Sequence, residues 1–225
     1  MPQTFYDKDA QHYEERHGNA TTRHLRRQEQ RLLLRFARGD VLDVGCGTGY
    51  HLHLLERKKG VRSLTGVDSS KEMVKIARKH ASMKIVRHDA ADMPFGSRCF
   101  DTIVCFNTMN FLGLPAFSEM RRVLRKGGTL IVSVASVHDN KGRSHKNIRI
   151  NRKRLVMHLY EKHEFVSLLE AHGFRLVEFH SLFHLQQPYW NWFRSFTPWE
   201  RLKLFAETFI QRDGGHIYLA VFRKN

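Results

Sequence analysis

The segment VLDVGCGTGYHL, residues 41–52, joins a short apolar run to three closely spaced glycines. Its first four residues predict a buried strand, and Gly45, Gly47 and Gly49 predict a tight turn where a ligand can approach bare backbone. The helix behind such a turn presents its amino terminus, which helps to bind the anionic end of a ligand. Asp43, two positions before the first glycine, would repel pyrophosphate and suits a ligand that also carries positive charge.

The glycine spacing differs from the dinucleotide-binding fingerprint, G-x-G-x-x-G. The third glycine, Gly49, comes one residue early, and Tyr50 stands where the fingerprint has its last glycine. In the fingerprint, that spacing lets the backbone approach the pyrophosphate and the helix pack on the strand. The segment therefore argues against a dinucleotide site.

Three more polar residues come at the ends of predicted strands. Asp68 follows the next strand, about twenty residues beyond the turn, where a carboxylate can accept hydrogen bonds from both ribose hydroxyls. The alternative for Asp68 is a cap on the following helix. Asp89 and Asn107 follow the third and fourth strands, and each could instead be a plain loop residue or strand end. Likewise, Asp43 could simply cap the glycine turn.

Strand and helix patterns alternate along most of the chain, which predicts an α/β fold with a doubly wound, mostly parallel sheet and helices on both faces. Strands are expected at 41–44, 63–67, 83–86, 102–106, 129–134, 175–179 and 216–222, and helices at 23–37, after the glycine turn, and at 70–80, 114–124 and 160–172. We expect a single domain over residues 1–225, with a basic insertion at 136–154 and an aromatic insertion at 185–212. The aromatic insertion holds all three tryptophans. These could form a core plug that covers the sheet edge, or a substrate pocket or stacking platform.

These motifs together resemble class I S-adenosylmethionine (SAM)-dependent methyltransferases of the methyltransferase type 11 branch. The matching segments are FYDKDAQHYEER (5–16), VLDVGCGTGYHL (41–52), LTGVDSS (64–70), HDAADMPF (88–95), CFDTIVCFNTMNFL (99–112) and RRVLRKGGTLIVS (121–133). The first is similar to the opening of quinone and tRNA wobble-uridine methyltransferases. The resemblance implies a seven-stranded sheet, SAM as cofactor and, in some members, a small activator subunit.

The resemblance also implies roles for single residues. The expected cofactor-binding residues are Asp43, Gly45, Cys46, Gly47, Gly49, Asp68, Ser69, Met73, Asp89, Ala90 and Asn107. Candidates for a part in catalysis are Tyr13 as a lid over the cofactor, Asn107 near the acceptor, and His138 as a base. A base is needed only if the acceptor must lose a proton. No HExxH or Cys/His ligand spacing predicts a metal site, despite fifteen histidines.

The charge balance indicates an anionic partner. Lys and Arg number 38 against 22 Asp and Glu, a formal net charge of +16, and such a field attracts polyanions. Basic residues concentrate in the loop 141–154, which has no acid, and in the helix 23–38. RNA, as tRNA or rRNA, is thus the first acceptor hypothesis. A small molecule such as a quinone is the alternative, and a non-catalytic scaffold is a minor one.

The remaining composition sets the expected compartment. Three cysteines form no CxxC pair, which indicates a reducing, cytoplasmic setting. No apolar run is long enough to span a bilayer, and the first residues carry no secretory signal pattern.

Overall fold

The structure, a computed structural model, describes residues 6–7, 10–16, 18, 20–79, 83–137, 147–150, 155–183 and 215–225. Its strands are β1 (Gly39–Val44), β2 (Val61–Asp68), β3 (Lys84–Arg87), β4 (Phe100–Cys105), β5 (Leu124–Ala135), β6 (Asn147–Ile150), β7 (Leu155–His158), β8 (Phe174–Leu182) and β9 (Ile217–Lys224). Its helices are α1 (Tyr13–Arg16), α2 (Ala20–Phe36), α3 (Tyr50–Leu55), α4 (Lys71–Ala77), α5 (Leu114–Val123) and α6 (Lys162–Ala171), with 3-10 turns at Ala10–His12 and Met109–Phe111.

Seven strands form one sheet in the order β3-β2-β1-β4-β5-β9-β8. Strands β1 to β5 are parallel, and β9 pairs antiparallel with both β5 and β8. This confirms the predicted mostly parallel, seven-stranded sheet. Strand order reverses at β1, which lies between β2 and β4, and ligands of such sheets bind beyond the carboxyl ends of strands at that point.

Successive side chains of the central strands point to opposite faces of the sheet and pack into two hydrophobic cores, one on each side. On one side, Val41 and Val104 pack with the apolar faces of α2, α3 and α4. On the other, Leu42 and Ile103 pack with α5 and α6. Because both faces are covered, the strands are apolar almost throughout, as expected for a buried parallel sheet. The helices on both faces confirm the doubly wound architecture.

The hairpin has its first strand, β6, inside the predicted basic insertion 136–154, and its second strand, β7, between that insertion and the predicted helix 160–172. The two strands pair antiparallel, from Asn147 opposite His158 to Ile150 opposite Leu155. Four-residue strands give too short an alternation to stand out from a loop in the sequence. The first insertion residues, Ser136 and Val137, are buried and continue the line of β5. The aromatic insertion, 185–212, lies outside the described residues, as does 138–146.

Among the described residues, no helix has the length and apolar character needed to cross a membrane.

Candidate functional site

The glycine turn between β1 and α3 takes the backbone through left-handed conformations. Gly45, Gly47 and Gly49 have φ of 74°, 53° and 87°, which side chains rarely adopt. A Cβ on Gly45 would collide with the side chain of Thr108, so the turn passes tightly beside the loop after β4. A Cβ on Gly47 would meet no atom within 4 Å. The turn is therefore closely packed on one side and open on the other.

Asp68, at the end of β2, ties this turn to the start of α4. Its Oδ2 accepts from the backbone N–H of Gly47 at 2.9 Å, and its Oδ1 accepts from that of Ser70 at 2.8 Å. Burial raises the pKa of Asp68, while those two donors oppose the increase. The helix cap is Ser70, whose hydroxyl accepts from the N–H of Met73. Asp68 thus fixes the backbone on both sides of the cavity edge.

A cavity of about 120 Å³ opens beyond the carboxyl ends of β1, β2 and β4. It brings together ten of the predicted residues, namely Tyr13, Gly45, Cys46, Gly47, Asp68, Ser69, Met73, Asp89, Ala90 and Asn107. Asp43 and Gly49 do not line it. His138 lies outside the described residues, so its place relative to the cavity is not part of the described structure.

Asp43 lies below the cavity floor, 2% exposed, within β1. Its Oδ2 is buried without a hydrogen-bond partner among the described residues. Burial raises its pKa from the ordinary 3.8 to about 7; nearby Asp68 and Glu29 add to the increase, and His51 opposes it. A carboxyl so placed favours positive charge on the cavity side of the turn.

Among the described residues, four carboxylates line the cavity against one arginine: the acids are Glu14, Glu29, Asp68 and Asp89. The arginine, Arg26, donates to Glu14 Oε2 at 2.8 Å and lies 3.9 Å over the ring of Tyr50. The lining is thus acidic, in a chain of net charge +16. Such a cavity favours a cationic ligand.

Glu29 and His51 form a buried pair that the sequence analysis did not identify. Glu29 comes from α2 and is 0% exposed; its Oε2 lies 3.1 Å from His51 Nε2. Its Oε1 accepts from Asn107 Nδ2 at 2.9 Å and from Ser133 Oγ at 3.1 Å. One signal was available, because Glu29 occurs at helical spacing between Leu25 and the apolar residues 32–33. An acid in an apolar stripe needs partners.

The described part of the N-terminal segment forms one wall of the cavity. Glu14 Oε1 accepts from the hydroxyl of Thr48 at 2.7 Å. Asp7 Oδ1 accepts from the hydroxyl of Ser70 at 2.6 Å and from the N–H of Glu72 at 3.2 Å. Tyr13, the predicted lid, lines the cavity from this wall.

The loop after β3 supplies the opposite wall. Asp89 and Ala90 line the cavity, and Asp89 Oδ1 accepts from the N–H of Ala91 at 2.8 Å, which holds the loop in a turn. His88 also lines the cavity, and its Nδ1 is buried without a hydrogen-bond partner in the described part of the chain. His88 was missed because a lone histidine beside a strand carries no motif.

Comparison with known proteins agrees with this geometry. Residues 41–128 match the family model described as methyltransferase domain. The chain is 34% identical over 141 residues to an uncharacterized protein of Methanocaldococcus jannaschii, covering 61% of this chain and 53% of that protein. It is 37% identical over 110 residues to the demethylmenaquinone methyltransferase of Thermotoga maritima, covering 48% of each. The aligned region thus spans about half the length of these curated relatives.

Among solved structures, the fold is similar to a chain in the complex between the Haloferax volcanii Trm112 methyltransferase activator and a methyltransferase. The TM-score is 0.71 at 23% identity, over 97% of both chains. Residues 41–128 therefore resemble a methyltransferase domain, and the fold is that of the class I SAM-dependent methyltransferases. The cofactor that this likeness implies is SAM.

The residues of the cavity suit that cofactor. SAM carries an ammonium and a sulfonium, and the lining is rich in carboxylates. Asp43 Oδ2 and His88 Nδ1 are buried polar atoms that lack a protein partner among the described residues. The open side of Gly47 leaves backbone accessible. No group of three or more His, Cys, Asp or Glu residues within the described ranges could hold a metal ion.

Proposed function

We propose that the protein transfers a methyl group from SAM to a nucleophile that enters this cavity. The observation that carries the proposal is the acidic cavity beside an open glycine turn, at the point where strand order reverses. SAM supplies an electrophilic methyl group on a positively charged sulfur. The protein contributes alignment, exclusion of water and negative charge around the cation.

Specific residues hold the cofactor in this proposal. Asp68 binds the ribose hydroxyls, because its carboxylate lines the cavity at the end of β2. The turn residues Gly45, Cys46 and Gly47 receive the methionine end. Asp43 is buried and does not line the cavity, so in this proposal its negative charge attracts the cofactor across the glycine turn without contact. Gly49 does not line the cavity either, and its part is to shape the turn.

At the other end of the cavity, Asp89 and Ala90 contact the adenine in this proposal, with Ser69 and Met73 beside them; all four line the same space. Tyr13 covers the cofactor from the N-terminal wall. Asn107 borders the acceptor end: its backbone has φ of 53°, and its amide is held by Glu29.

RNA is the acceptor that we propose first. Helix α2 carries exposed arginines at intervals of four residues, Arg23, Arg27, Arg31 and Arg35, which we name the arginine stripe. Residues four apart share one side of a helix, so these cations can follow a phosphate backbone. The same helix supplies Arg26 and Glu29 to the cavity lining, so bound RNA would lie beside the cavity. The predicted basic loop 141–154 lies largely outside the described residues, and we propose it as a second source of phosphate contacts on the strength of its sequence alone.

A small-molecule acceptor is the second candidate, and the curated relatives favour it. They include the demethylmenaquinone methyltransferase named above, a malonyl-[acyl-carrier protein] O-methyltransferase of Herminiimonas arsenicoxydans and a phosphatidylethanolamine N-methyltransferase of Cereibacter sphaeroides. These proteins are matched over about half of their length.

The proposal also includes a partner subunit and a cellular compartment. A small activator subunit is supported by the complex in which the Haloferax volcanii neighbour was solved. A reducing, cytoplasmic setting is supported by three free cysteines, of which Cys46 and Cys105 are buried.

The test is transfer of labelled methyl from SAM to total tRNA and, in parallel, to a lipid and metabolite extract. Label in tRNA that depends on the protein supports the first candidate, and label only in the extract supports the second. A protein that binds neither SAM nor S-adenosylhomocysteine would contradict the methyltransferase proposal itself. Isothermal titration calorimetry measures that binding directly.

A further inference from the structure

The cavity contains a carboxylate–imidazole pair, Glu29 and His51, in which the donor and the acceptor of the hydrogen bond can be assigned. Ionised Glu29 can only accept, so His51 must donate to it through Nε2–H. In a neutral ring this leaves the lone pair on Nδ1. Within the described residues, Glu29 is the one hydrogen-bond partner of the His51 ring. His51 lines the cavity, and its side chain is 16% exposed.

The surroundings hold this pair in place. Asn107 and Ser133 occupy Oε1 of Glu29, which directs Oε2 toward the imidazole. The ring of His51 packs edge-on against Phe106 at 4.8 Å and Tyr50 at 5.2 Å between centroids. The ring orientation is therefore fixed from several directions. A base needs its orientation fixed, because proton transfer requires hydrogen-bond distance and alignment.

Resting on the proposed methyl transfer, we propose that His51 is the catalytic base for a protic acceptor, an O–H or N–H group, and that Glu29 is its positioning residue. The acceptor's lone pair forms the new bond to the methyl carbon, and the carbon–sulfur bond breaks with its electron pair going to sulfur. The acceptor proton moves to Nδ1 of His51. The products are the methylated acceptor, S-adenosylhomocysteine and an imidazolium paired with Glu29.

Charge conservation at the buried carboxylate supports this assignment. Among the described residues, no Lys or Arg pairs with Glu29, so its negative charge depends on the cavity's own cations. Before transfer that cation is the sulfonium; afterwards it is the imidazolium. Glu29 therefore faces one positive charge throughout, and little reorganisation is required. Among the described residues, two further charged groups of this region are Asp43, from β1, and Arg26, stacked on the neighbouring Tyr50.

The first test needs no acceptor. Nitrogen-15 NMR of histidine-labelled protein reads the tautomer of His51 in the complex with S-adenosylhomocysteine. We expect the Nε2–H tautomer, because an ionised Glu29 can only accept a hydrogen bond from that nitrogen. The Nδ1–H tautomer would overturn the proposal.

The second test uses the acceptor fraction that takes up label. His51→Gln should lower kcat about 100-fold or more, the usual contribution of general base catalysis, while KM for SAM and the melting temperature stay near wild type. The matched control is His53→Gln, on the same helix but 58% exposed and paired with Glu56. Wild-type kcat in His51→Gln, with an unchanged pH profile, would overturn the role.

Glu29 has its own signature. Glu29→Gln should lower kcat and also populate the Nδ1–H tautomer of His51, because an amide can donate to Nε2 where a carboxylate cannot. A purely structural role for Glu29 would leave kcat and its pH profile unchanged in this variant. If wild-type protein does not bind SAM, the proposed methyl transfer itself is wrong. Failure of the proposed function is therefore distinguishable from failure of the role assigned to His51.

Discussion

Helix α2 has two sides with opposite electrostatic character. The inner side places Glu29 among buried leucines and directs it at an acidic cavity. The outer side carries the arginine stripe in water, where the described ion pair is Arg35 with Glu178 at 2.8 Å. Net charge therefore describes the surface of this protein and not its cavity. The same helix suits a cationic cofactor inside and a polyanion outside.

The largest expected effect lies on the inner side, in the pH dependence of stability. Asp43 has a pKa of about 7 when folded, against an ordinary 3.8. Between these values the folded chain holds a proton that the unfolded chain has lost, so the free energy of unfolding falls as pH rises. From about pH 4 to pH 8, wild type should lose on the order of 4 kcal/mol relative to Asp43→Asn. Urea unfolding across this range measures it.

The control for this change is Asp92→Asn, because Asp92 is exposed. Parallel pH curves for wild type and Asp43→Asn would contradict the acidic interior. Saturating SAM should reduce the loss at high pH, since a bound cation favours the ionised carboxyl.

The second effect concerns the cavity edge. Asp68→Ala removes a carboxylate that holds Gly47 and Ser70 and that we propose binds the ribose. Affinity for S-adenosylhomocysteine should fall by roughly 1–3 kcal/mol, the scale of lost charge-assisted hydrogen bonds. Calorimetry measures the change, with Asp92→Ala as the matched control. Equal affinities in Asp68→Ala and wild type would remove Asp68 from the site.

The smallest effect lies on the outer side and appears only in salt dependence. Changing Arg27 and Arg31 to Ser should reduce the slope of log affinity for bulk tRNA against log salt by about 1.4–1.8, from 0.7–0.9 for each phosphate contact. The matched control is Arg98→Ser with Arg121→Ser, which removes the same charge at the amino ends of the strands. Equal slopes in both double variants would make the arginine stripe an ordinary solvated surface.

Local motifs made the part of the cavity lining that we assign to the cofactor predictable. The glycine turn and Asp68 are encoded by residues near one another in sequence, and parallel strands bring their carboxyl ends to one edge whatever the loops do. The position of the Asp43 side chain was harder to predict. Its residue type indicated a charge interaction with the ligand. Whether a strand residue before a turn contacts ligand or core depends on which face of the sheet it occupies, and Asp43 is buried.

The acceptor half depends on tertiary packing instead. Glu29 and His51 are separated by 22 residues, and their contact depends on how α2 packs across the sheet beside α3. No spacing of residues in the sequence predicts how these two helices pack against each other. No motif in the sequence singled out His51, and its pairing is evident only from the contact of its Nε2 with Oε2 of Glu29. The hairpin of β6 and β7 was missed for a related reason, since short strands carry too little pattern.

The N-terminal wall has a consequence for the order of kinetic events. Asp7 and Glu14 hold Ser70 and Thr48 at two edges of the cavity, so spent cofactor leaves most readily after these hydrogen bonds break. We expect this opening, and not methyl transfer, to limit steady-state turnover. Rapid-quench experiments should then show a burst of methylated product in the first turnover, followed by a slower constant rate that rises when Glu14 is changed to Gln.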